Sequence, residues 1–150
     1  MEKQELLGRV RAGFADLARR LEGLDDAALE QSCRAEGWTR REVLAHLAAW
    51  YEVSAERLEL IGRGRADAIQ WVAEDVDEWN ARFFARDREL SPARVRERLG
   101  QTQRAVLAAL EALPVQAFND PRARAPIERW LPACTYEHER EHHADLGEEM

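Results

Sequence analysis

Several common signatures are missing from this chain of 150 residues. A basic excess is absent: 22 Lys and Arg stand against 29 Asp and Glu, for a net charge of −7. Nucleic-acid binders usually carry the opposite balance, so the composition argues against a nucleic-acid partner. Arg122, Arg124 and Arg129 do cluster, but acids surround them and the group reads as a solvated surface. Long apolar runs are also missing. None approaches the roughly 20 residues that span a bilayer, which argues against a membrane partner. No apolar stretch follows Met1-Glu2-Lys3-Gln4-Glu5 as a secretory leader would require. The expected compartment is therefore the cytoplasm. Cysteine is scarce. Cys33 and Cys134 lie far apart with no C-x-x-C pair, and in a reducing compartment both are expected as free thiols.

What remains is an ordinary globular balance, 45% hydrophobic and 34% charged, at the length of a single domain over residues 1–150. The five prolines and eight glycines fall mostly between apolar-periodic stretches. Those stretches repeat at three and four residues, which is helical spacing, and no segment reads convincingly as a strand. Leu6, Val10, Phe14, Leu17, Leu21 and Leu24 predict a first helix over about 2–24, with Gly13 inside it and a short turn at 26–31. Thr39-Arg40-Arg41-Glu42 is a capping box that opens a second helix. Its line runs through Val43, Leu47, Trp50, Leu58 and Ile61, with Ser54 as a small polar gap, and Gly62 and Gly64 end it. A shorter helix over 71–88 carries Val72, Val76, Trp79 and Phe83. Ser91-Pro92 opens a fourth, with Val95, Leu99, Thr102, Val106, Leu110 and Leu113 as its stripe and Pro114 as its end. An irregular stretch leads to a last helix over about 132–146. Long helices joined by shorter connections predict an all-α, up-and-down four-helix bundle with an extra short helix.

Chemistry concentrates in the histidines, of which there are four: His46, His138, His142 and His143. His138 and His142 are four apart and share a helix face, so both imidazoles can reach one ion. That face also holds Cys134 and Asp145 and has few apolar residues, so turning it inward buries polar groups that a metal would satisfy. The same spacing suits an exposed helix with an incidental pair. His46 lies among the apolar residues of the second helix, where it reads either as a hydrogen-bonded core residue or as a third ligand. Three neutral imidazoles leave an open coordination position, as catalytic sites do. A helix places residue i+5 off the i, i+4 line, so His142 is preferred over His143. His138-Glu139-Arg140-Glu141-His142 matches the letters of the zinc-protease motif. No extension follows it and no strand precedes it, so chance in a Glu-rich helix explains it better. Trp38 and Trp50 can wall a pocket beside the histidines, whereas Trp79 reads as core packing.

The stretch Gly37-Trp38-Thr39-Arg40-Arg41-Glu42-Val43-Leu44-Ala45-His46-Leu47-Ala48-Ala49-Trp50 resembles the signature of the DinB-like superfamily, a Trp opening a helix that carries a His and then an aromatic. His138 to His142 resembles that superfamily's closing H-x-x-x-H. The middle, Val76-Asp77-Glu78-Trp79-Asn80-Ala81-Arg82-Phe83-Phe84 with the later Pro/Arg loop, is similar to the ClbS/DfsB branch. The resemblance implies a four-helix bundle, often a homodimer. It also implies a divalent metal, Zn or Ni, on the positions that match its ligands, His46, His138 and His142. Relatives include thiol-dependent transferases and a self-resistance protein that hydrolyses an electrophilic genotoxin. Two departures stand out: Asp145 where thiol transferases often carry Gln, and Glu139 where the branch often carries an aromatic.

Three functions follow as expectations. The first is a metal-dependent hydrolase or thiol transferase acting on a small electrophilic or toxic molecule. In it Asp145 serves as base or ligand orienter, with Glu42 as another possible orienter. Tyr51 hydrogen-bonds the substrate, and Trp38, Trp50 and Asn80 line the pocket. The second is a metal-free pocket that binds or hydrolyses such a molecule. The third is a non-enzymatic, stress-related dimer.

Overall fold

The computed structural model describes residues 1–34, 37–71 and 75–147. It contains helices α1 (Lys3–Leu21), α2 (Asp26–Leu29), α3 (Arg40–Gly62), α4 (Val76–Asp87), α5 (Pro92–Ala112), α6 (Ile127–Cys134) and α7 (Tyr136–Glu141). The expected all-α bundle is borne out: α1, α3 and α5 form three of its long members, and α6 and α7 together fill the fourth position. Among the described residues, no helix is long and apolar enough to cross a membrane.

Helix α3 is the centre of the molecule. Its start is the capping box read from the sequence: the Thr39 hydroxyl accepts from the Glu42 N–H at 3.1 Å, and the Thr39 N–H donates to Glu42 Oε1 at 2.9 Å. Glu42 is thus committed to the cap. The helix buries Val43, Leu44, Leu47, Ala48, Tyr51 and Leu58 completely. These residues do not form one stripe; α3 is enclosed on most of its circumference, as a helix hydrophobic all round must be. Ser54 is also buried, and its hydroxyl donates to the Trp50 carbonyl at 2.8 Å, so the small polar gap carries no unmet hydrogen bond. Around α3 the core is completed by Leu6, Val10 and Leu17 of α1 and by Val95, Val106 and Leu110 of α5.

Helix α4 lies outside this core. It begins at Val76, later than the sequence spacing suggested, and Asp87 is its one buried residue. Val76 is itself 41% exposed, and Val72 lies outside the described residues. Aromatic contacts tie α4 to α3: Trp79 stacks on Trp50 at 6.3 Å, and Phe83 meets Trp50 edge-on at 5.6 Å. Asp87 adds Arg86 at 2.8 Å and Arg98 of α5 at 3.2 Å.

The last helix differs most from expectation. It starts at Ile127, earlier than Pro132, and breaks at Thr135, whose φ and ψ are −121° and −104°. Pro132 lies inside α6, where it has no N–H to donate and its ring crowds the carbonyl one turn back. The Thr135 hydroxyl takes the Leu131 carbonyl at 2.7 Å and completes the break. A new start at Tyr136 gives α7 its own rotation, which decides where the histidines point.

Candidate metal centre

Helices α3 and α7 bring His46, His138 and His142 together. Their candidate ligand atoms all lie within 4.8 Å of one another. His46 Nε2 and His138 Nε2 are 3.0 Å apart, and the His142 ring centroid is 5.3 Å from that of His46 and 5.0 Å from that of His138. Two nitrogens held at about 2.0 Å from one tetrahedral ion are themselves roughly 3.3 Å apart, so the closest pair matches a shared ion. Burial and neighbouring rings keep His46 and His138 uncharged. Desolvation and then His142 lower His46 to about 4; desolvation and then His46 lower His138 to about 3. Neutral imidazoles bind metal without first losing a proton.

His142, only 6% exposed, closes α7 as its C-cap. Its Nδ1 sits 2.7 Å from Asp145 Oδ2, and Arg34 Nη1 lies 3.4 Å from the same carboxylate oxygen. With Nδ1 donating to Asp145, Nε2 carries the lone pair, which is the arrangement that orients a ligating histidine. His143 turns away: its Nε2 faces Asp16 of α1 at 3.4 Å.

The triad opens onto a cleft of about 770 Å³ that Trp38, Trp50, Asn80, Arg57 and Cys134 also line. Trp38 meets His46 edge-on at 5.8 Å. The Trp50 indole N–H donates to Asn80 Oδ1 at 2.8 Å, which fixes the Asn80 amide and leaves its NH₂ for a ligand. The structure therefore gathers the three histidines and the three pocket residues named from sequence, with Asp145 behind His142.

It does not bring Tyr51 there. Tyr51 is fully buried, packs edge-on against Phe14 at 5.1 Å, and donates its hydroxyl to Glu139 Oε2 at 2.6 Å. Its neighbours place it in the core between α1, α3 and α7, where it cannot reach a substrate in the cleft. Glu139 points the same way, 2% exposed, and desolvation pushes its carboxyl up to about 7. The two histidines of the protease-like string thus face the cleft while its glutamate faces the core, so that glutamate is no general base. A Tyr51→Phe variant is expected to lose about 1–3 kcal/mol of stability, the cost of leaving a buried carboxyl unsatisfied, with metal content unchanged. Thermal unfolding and elemental analysis of one preparation check this; lost metal with an unchanged Tm would return Tyr51 to the site.

Arg57 is the residue that sequence reading missed. It is 5% exposed, and its guanidinium stacks between Trp71 at 4.8 Å and Trp130 at 5.2 Å. Its position on α3, seven residues past Trp50 and so on the same face, was the available signal.

Residues 9–146 match the sequence profile of the DinB superfamily. The chain belongs to the DinB superfamily. None of the curated proteins compared matches it. Among solved structures it is similar to DfsB, described as a sibling lethal factor precursor, at 19% identity and a TM-score of 0.78, covering 97% of this chain and 93% of that one. It is also similar to the colibactin self-resistance protein ClbS in complex with a dsDNA, at 13% identity and a TM-score of 0.79, over 97% and 93% of the two chains. An uncharacterised protein from Escherichia coli UTI89 follows at 13% identity and a TM-score of 0.78, over 97% and 90%. At these identities the likeness shows the fold. The family match bears out the DinB-like resemblance drawn from the two His-bearing motifs, and DfsB and ClbS, whose branch the Val76–Phe84 segment resembles, share the fold.

One expectation is corrected by these neighbours. Net charge of −7 does not exclude a nucleic-acid partner for this DinB-superfamily protein, because ClbS, with the same fold, is crystallised with dsDNA. Net charge sums the whole surface, whereas phosphate contacts depend on the local set of donors.

Proposed function

We propose that this chain is a metal-dependent enzyme that disarms a small electrophilic molecule, in a stress or self-resistance role. The observation that carries this reading is the convergence of three imidazoles from two helices at one end of a cleft, with Asp145 hydrogen-bonded to His142. The donor set is all imidazole nitrogen, which suits Zn²⁺ or Ni²⁺ and is a poor match for Mg²⁺ or Ca²⁺. His46, His138 and His142 would hold the ion. When bound, a divalent ion supplies Lewis-acid polarisation and makes a water or thiol more acidic.

The chain's own residues do the rest. Asp145 fixes the His142 tautomer, and Arg34 steadies Asp145. Trp38 and Trp50 exclude water from one wall, and the Asn80 amide offers donors to a substrate oxygen. Elemental analysis of protein purified without a His tag or chelator tests the reading. Near-stoichiometric Zn or Ni is expected. Absence of metal even after reconstitution would sink it and leave the metal-free pocket.

The ClbS complex supports a second reading, in which the chain also engages duplex DNA. Fluorescence anisotropy with a labelled duplex at several salt concentrations tests it. Binding that weakens steeply with salt is the expected signature, and a flat response at low salt would discard it.

A further inference from the structure

The far end of the cleft holds an electrostatic anomaly. Arg57 is buried, yet no carboxylate pairs with it among the described residues, and its Nε and Nη2 have no hydrogen-bond partner. The Trp130 indole N–H, on a ring stacked beside it, has none either. These are three of the four buried side-chain N or O atoms without a partner among the described residues. The fourth, Arg98 Nε, belongs to a guanidinium whose other nitrogens meet Asp87 and Glu52. Among the described residues the hydrogen-bond partner of Arg57 is Cys134, with Nη1 and Sγ 4.0 Å apart. Burial raises the Cys134 thiol above its ordinary range, so it stays protonated and supplies no counter-charge.

A guanidinium does not neutralise itself by losing a proton, and an unpaired buried charge is costly. Cation–π contact with two indoles repays part of that cost and holds the fork rigid. A structural role alone would be served better by an apolar side chain, since buried ions are commonly replaced by such residues without loss of stability. Arg57 lies 11 residues beyond His46 on α3, roughly 16 Å along the axis, and both line the same cleft.

We propose that Arg57, flanked by Trp71 and Trp130, is a recognition site for a carboxylate on the cleft's small-molecule ligand, whose reactive centre lies at the histidine end. The proposal rests on the small-molecule reading above for the second half of that statement, while the carboxylate site stands on Arg57 itself. The planar fork matches a carboxylate two-to-two, and the indole faces suit an aromatic or apolar body behind it. A DNA phosphate fits less well, because so enclosed a guanidinium does not reach a duplex backbone.

Benzoate is the probe and benzamide its neutral isostere, in ligand-observed NMR titrations of the full chain. Benzoate is expected to bind saturably, benzamide at least about tenfold more weakly, and Arg57→Met is expected to weaken benzoate by at least about tenfold, as loss of a charge-assisted pair predicts. Metal content in Arg57→Met, and benzoate affinity in His46→Ala, are both expected to stay unchanged. Failure of the metal reading therefore shows in metal content and leaves this result untouched. Should Arg57→Met not fold, the wild-type Arg57 Nε–H resonance decides: benzoate shifts it and benzamide does not. Equal binding of benzoate and benzamide, an unchanged affinity in folded Arg57→Met, or displacement of benzoate by a short DNA duplex would each overturn the carboxylate assignment.

Discussion

Replacing His46 with alanine is expected to remove bound metal while leaving a folded bundle. His46 supplies one of the three imidazoles and the shortest contact in the cluster, 3.0 Å between its Nε2 and that of His138. Loss of a hydrogen bond to a ligand already costs metal affinity about 10–100-fold, so loss of a ligand itself should exceed that range. His138→Ala should behave alike. Asp145→Asn is expected in the intermediate range, about 10–100-fold, because it keeps the three donors and weakens the partner that orients His142. Neither alanine removes a residue of the apolar core that joins α1, α3 and α5, so the helical signal should persist. Metal content by elemental analysis, with circular dichroism on the same samples, checks the series. Full occupancy in both alanine variants would show that the ion sits elsewhere; unfolding would show that the cluster holds the bundle together.

Gly13→Ala is expected to be among the most destabilising conservative changes in the molecule. In a helix interior alanine is normally better than glycine by about 1 kcal/mol. Here a Cβ would stand 2.6 Å from Glu139 Oε1 and 2.8 Å from Tyr136 Cβ. Oε1 could swing away only by turning the carboxylate whose Oε2 accepts from the Tyr51 hydroxyl, and Tyr136 Cβ is anchored directly to the α7 backbone. Overpacking costs about 1–3 kcal/mol, and a broken buried hydrogen bond adds a similar amount. After subtracting the propensity gain, a net loss of about 1–5 kcal/mol remains, or a Tm lower by roughly 2–20 °C at this chain length. Gly8 of the same helix is the control. It is exposed, and a methyl group there would have nothing within 4 Å, so Gly8→Ala should be neutral or slightly stabilising. Thermal denaturation of the two variants side by side tests the close approach of α1 to α7, and equal Tm values would refute it.

The same contact shows how much of this protein is legible in one dimension. Gly13 reads locally as a weak point in a helix, and its necessity arises from Tyr136 and Glu139, more than a hundred residues away. Local signals performed well. The Thr39 capping box, Ser91-Pro92, and Gly62 and Gly64 at the end of α3 act through neighbours a few residues off, and each appears where the spacing predicted. The three histidines were legible as a set because His138 and His142 share a turn and His46 sits within an apolar stretch, although their meeting requires α3 and α7 to pack.

What the sequence alone determined is thus the all-α class, the main helices and the residue types of the candidate centre, since periodicity, capping and donor chemistry are local properties of the chain. Tertiary structure alone decided the roles of Tyr51, Glu139 and Arg57. Tyr51 lies one turn and a fraction past His46, yet it turns to Glu139 because the faces of α3 divide between cleft and core. Glu139 sits between ligand candidates in sequence and opposite them in space, because the break at Thr135 resets the rotation of α7. Nothing local distinguishes Arg57 from the other arginines; its enclosure by Trp71 and Trp130 arises only on packing. Burial and pairing are properties of the packed chain, and a linear pattern does not contain them.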